Sequence, residues 1–69
     1  MKKYIVFIFF EVEPEVTNGI AVAKFKDLES AKMHARNLEV DYDYCKIAKG
    51  YTNGKDYEVK IMQEIEEIY

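Results

Sequence analysis

Hydrophobic residues open the chain without alternation. The stretch YIVFIFFEV, residues 4–12, holds eight apolar residues in nine positions, interrupted only by Glu11. Successive side chains of a strand point to opposite faces, so a strand here is apolar on both. Tyr4, Val6, Ile8, Phe10 and Val12 stand on one face, and Ile5, Phe7 and Phe9 on the other. Lys3 to Val12 is therefore expected to be a strand that needs cover on two sides. The following EPEVTNG, residues 13–19, holds the only proline and an Asn-Gly pair, and reads as a loop. A second strand is expected from Ile20 to Phe25 or Lys26. Its face of Ala21, Ala23 and Phe25 is apolar, while Ile20 and Val22 share the other with Lys24 and Lys26. The short connection predicts antiparallel pairing.

The period then changes. In DLESAKMHARNL, residues 27–38, Leu28, Ala31, Ala35 and Leu38 recur at the spacing of one helix face. Asp27 is a favourable N-cap, and Glu29 in the first turn suits the helix dipole. The helix is expected to fade near VDYD, residues 40–43.

A second Asn-Gly pair, Asn53-Gly54, supplies the positive φ angles of a two-residue hairpin turn. With that turn, a strand over Lys46–Thr52 returns along Lys55–Ile61. Lys49 then faces Glu58, and Ala48, Tyr57, Val59 and Ile61 share an apolar face. In the closing MQEIEEIY, Met62, Ile65 and Ile68 lie about a helical turn apart, which predicts a short amphipathic helix; a continued strand is the alternative. The expected fold is a single α+β domain over residues 1–69 in the order ββαββ. It has a four-stranded, mainly antiparallel sheet, one central helix on one face and a short C-terminal helical segment.

Composition changes this picture little. Of 69 residues, 49% are hydrophobic and 33% charged, and ten aromatic residues (six Tyr, four Phe) argue against disorder. A net charge of −3 is the wrong sign for a dedicated phosphate-backbone binder. The first apolar run follows Lys2 and Lys3 but ends in Glu11, Glu13 and Pro14. It lacks the length of a membrane span and the cleavage site of a leader. Cys45 is the only cysteine, which excludes an internal disulfide and suits a reducing cytoplasm.

No catalytic motif stands out. His34, the only histidine, lies beside the apolar helix stripe and reads as a surface residue. Cys45 reads as a structural thiol, and one Cys with one His does not make a zinc site. The acids gather at Glu11, Glu13 and Glu15, at Glu39, Asp41 and Asp43, and at Glu64, Glu66 and Glu67, where solvated carboxylates are the norm. Lys24, Lys26, Lys32 and Arg36 form a candidate basic patch. No cofactor, metal, membrane or nucleic-acid partner is expected. The sequence reads as a small non-enzymatic protein-interaction module, homodimeric through Ile5, Phe7, Phe9, Met62, Ile65 and Ile68. A phage or mobile-element accessory protein acting on a host protein fits that description. A nucleic-acid-binding module using the basic patch, and a small enzyme with a site between protomers, are the alternatives.

Overall fold

The computed structural model describes residues 3–64. The order is β1 (Lys3–Glu13), β2 (Val16–Phe25), α1 (Leu28–Val40), α2 (Tyr42–Tyr51) and β3 (Tyr57–Glu64). The domain is thus α+β, but its order is ββααβ and its sheet has three strands, arranged β2-β1-β3. Both β2 and β3 pair with β1 antiparallel. The four-stranded ββαββ arrangement is overturned in one place: residues 42–51 are a helix, where a strand was expected over 46–52.

β1 and β2 form a hairpin with a two-residue turn, since Glu13 pairs with Val16. The turn is Pro14-Glu15: proline presets its own φ and Glu15 takes a positive φ of 67°. The Glu15 amide is satisfied by Glu11 Oε1 at 3.0 Å. Asn18-Gly19 lies inside β2, so this Asn-Gly pair makes no turn. A bulge between Val6 and Phe7 pairs Val6 with Ala23 but Phe7 with Ala21. The extra residue on β2, Val22, resets the alternation. Ile20, Val22, Ala23 and Phe25 all pack against the core, and Ala21 is exposed. Strict period 2 had grouped Ala21 with Ala23 and Phe25; the bulge breaks that grouping.

α1 begins where Asp27 accepts from the Ser30 amide at 2.9 Å and the Ser30 hydroxyl at 3.0 Å. These bonds hold the Asp27 carboxyl below its usual range, the hydroxyl contributing most. Ala31, Ala35 and Leu38 are buried against Val6 and Ile8, but Leu28 is 38% exposed and is not part of the core.

Asp41 ends α1 and starts α2. Its backbone is extended (φ −88°, ψ 125°), its amide donates to Asn37 O at 2.9 Å, and its carboxylate accepts from the Asp43 and Tyr44 amides. One aspartate therefore turns the chain between two helices. α2 buries Ala48 in the same core. It closes with Asn53 and Gly54 at φ 55° and 78°, the Gly54 amide reaching back to Lys49 O at 2.8 Å. That six-residue closure is a Schellman cap, so Asn53-Gly54 is a helix stop and not a hairpin turn. The pairing of Lys49 with Glu58 falls with it, because Glu58 sits opposite Phe9 of β1. Met62 to Glu64 continue β3, against the expected C-terminal helix; Ile65 and Ile68 lie outside the described residues.

Candidate interaction surface

The core lies between the sheet and two helices packed on one side of it. Val6 and Ile8 are fully buried and Phe10 is 7% exposed on that side. The odd-numbered side chains of β1 therefore point the other way, to a face that no element among the described residues covers. Down its centre run Lys3, Ile5, Phe7, Phe9 and Glu11. The register sets Lys24, Ala21, Gly19 and Thr17 of β2 beside them on one flank. Glu64, Met62, Lys60 and Glu58 of β3 stand on the other.

This open face is apolar at its centre and charged at its rim. Phe7 and Phe9 stack with centroids 5.7 Å apart. Phe9 lies over Gly19, where a Cβ would come within 2.6 Å of the ring, so the glycine makes room for the phenylalanine. Lys60 Nζ sits 5.5 Å from the Phe9 centroid, which adds a cation–π contact. Met62, opposite Ile5, is 51% exposed. Lys24 reaches Glu64 across the central strand, and Lys60 pairs with Glu58, each at 3.9 Å. Exposed pairs of this length contribute little to stability; here they neutralise the rim.

Ile5, Phe7, Phe9 and Met62, expected as a contact surface, are thus brought together. The candidate basic residues are not. Lys24 belongs to the open face, Lys32 pairs with Glu29 along α1 at 3.8 Å, and Arg36 is exposed on that same helix, behind the sheet. Lys26 sits in the β2–α1 connection.

His34 is half-buried between Phe25 and Tyr44, at centroid distances of 5.4 and 5.6 Å. Cys45 donates its thiol to Leu38 O at 3.1 Å, and the Tyr57 hydroxyl donates to the same carbonyl. Burial, with the neighbouring thiol and Glu39 adding to it, pushes the Tyr57 hydroxyl up to about 12. The shared carbonyl ties α1 to α2 and to β3, a structural use for both side chains. Among the described residues no group of three or more His, Cys, Asp or Glu is placed to hold a metal ion.

A second apolar surface escaped the sequence reading. Tyr44, Ile47 and Tyr51 line one side of α2 and, with Val22 and His34, a shallow groove of about 170 Å³. Their i, i+3, i+7 spacing was a helical signal in a stretch read as a strand.

The described residues define a two-layer α+β domain whose three-stranded sheet carries both helices on one face and an aromatic row on the other. No helix among them is long and apolar enough to cross a membrane. No known family model matches the chain, nor does any curated protein or solved structure.

Proposed function

We propose that this chain is a small non-enzymatic interaction module whose open sheet face contacts another protein surface. One observation carries the reading: both helices pack on the Val6/Ile8 side, leaving Ile5, Phe7, Phe9 and Met62 together on the other. An aromatic centre with a charged rim is the usual make-up of a protein contact. The single thiol, engaged by a backbone carbonyl, suits a reducing cytoplasm.

The test places a photoreactive benzoylphenylalanine at position 7 and, separately, at position 33, where Met33 is exposed on α1. Each protein is irradiated in cell extract. Protein adducts from position 7 that excess native chain suppresses support the reading. Equal adducts from both positions, or adducts to nucleic acid alone, overturn it.

A further inference from the structure

We infer that the occupant of the open face is a second copy of this chain, laid sheet on sheet with the two central strands antiparallel. The inference rests on the reading of that face as a contact surface and names the partner.

The pattern along β1 carries it. Its open-face side chains run Lys3, Ile5, Phe7, Phe9, Glu11: a cation, three apolar residues, an anion. A half-turn about an axis crossing the strand at Phe7 maps this row onto its own complement. Lys3 then meets Glu11 of the second copy at both ends, Ile5 meets Phe9, and Phe7 meets itself. Such a two-fold contact uses one patch twice, as closed dimers do. With the strands parallel, Lys3 would face Lys3 and Glu11 would face Glu11, so charge selects the antiparallel arrangement. The flanking charges do not oppose it. Lys24 with Glu64, and Lys60 with Glu58, are neutralised within each copy. Two sheets stacked this way pack about 10 Å apart with strands about 30° off alignment. Lys60, level with the axis on an edge strand, comes close to its own symmetry mate, and its charge is taken up within each copy by the Phe9 ring and Glu58.

Size sets the strength. Three strands ~4.8 Å apart and nine residues at ~3.3 Å give a flat face of roughly 400 Å² per copy. Durable contacts bury about 800 Å² per partner. The dimer is therefore weak and reversible, forming as concentration rises.

Sedimentation equilibrium from micromolar to millimolar loading tests this. The native chain is expected to move from 8.1 kDa towards twice that mass. Phe7→Lys should stay monomeric. Lys3→Glu and Glu11→Lys should each weaken association ~tenfold, because each turns two cross-copy attractions into repulsions. The double variant Lys3→Glu/Glu11→Lys should recover to within ~threefold of native, the pairs being restored with signs reversed. Circular dichroism checks that each variant keeps its fold, since Glu11 also holds the Glu15 amide. A monomer at every concentration, a dimer indifferent to Phe7→Lys, or a double variant as weak as the two single effects combined overturns the inference. A monomer that still gives competed protein adducts from position 7 would leave the interaction reading standing without the self-pairing.

Discussion

At the scale of single residues, the Leu38 carbonyl joins three elements through one atom. It accepts from Tyr57 and from Cys45, and Leu38 itself is 3% exposed. The Tyr57 hydroxyl, displaced from 10.0 to about 12, favours the folded state while it stays protonated. The sign follows from linkage: a raised folded value gives a contribution fully present below pH 10 and lost as pH climbs through 12. Stability should thus fall over that window in the native chain, and Tyr57→Phe should flatten the fall. Ultraviolet titration should show a tyrosine ionising late in the native protein that Tyr57→Phe removes. The two leucines of α1 make a sharper pair. Leu38→Ala should cost ~2–5 kcal/mol, as for other buried leucines, and Leu28→Ala far less. Denaturant melts of the two variants would show equal losses if Leu28 were core after all.

At the scale of elements, the sequence was legible where period and punctuation agreed. The two-faced β1, the antiparallel β1–β2 pairing, and α1 with its Asp27 cap all stand in the structure. It failed where one signal served two geometries. Asn-Gly announces positive φ, which both a hairpin turn and a helix C-cap require. Residues 46–52 were too few to separate a period of 2.0 from 3.6, since Lys46, Ala48 and Gly50 fit an alternation as well as anything. The deciding signal was Asp41, a capping residue three positions before the apolar Tyr44, Ile47, Ala48 and Tyr51. The open sheet face was half legible: the odd-numbered residues of β1 were visible from the start, but Lys60, Glu58 and Gly19 joined them only through the sheet order. An element-level prediction follows from the cap. Gly54 stands at φ 78° with open space around its Cα, so Gly54→Ala meets backbone strain and no clash. It should cost ~1 kcal/mol and release the amides of the last turn of α2 to faster hydrogen exchange. Unchanged exchange at Thr52 and Gly54 would mean that the cap does not hold that end.

At the scale of the whole molecule, the fold is a slab of 39 × 27 × 13 Å, one helical layer on one sheet. Its two sheet faces differ in what packs on them. Val6 and Ile8 hold the helices, so Ile8→Ala should lower stability at any protein concentration, by ~2–5 kcal/mol. Phe7 lies on the face opposite both described helices, stacked on Phe9 of its own strand and, by the inference above, covered by a second copy. A partner that binds only the folded chain stabilises it by mass action, and that stabilisation grows with concentration. The melting temperature of the native chain should therefore climb as the protein is concentrated, while that of Phe7→Lys stays level. Ile8→Ala should melt lower but climb with the native slope, because its open face is intact. Scanning calorimetry over a hundredfold range of concentration separates the three. Parallel, level traces for native and Phe7→Lys would show that the aromatic row stabilises nothing beyond its own sheet.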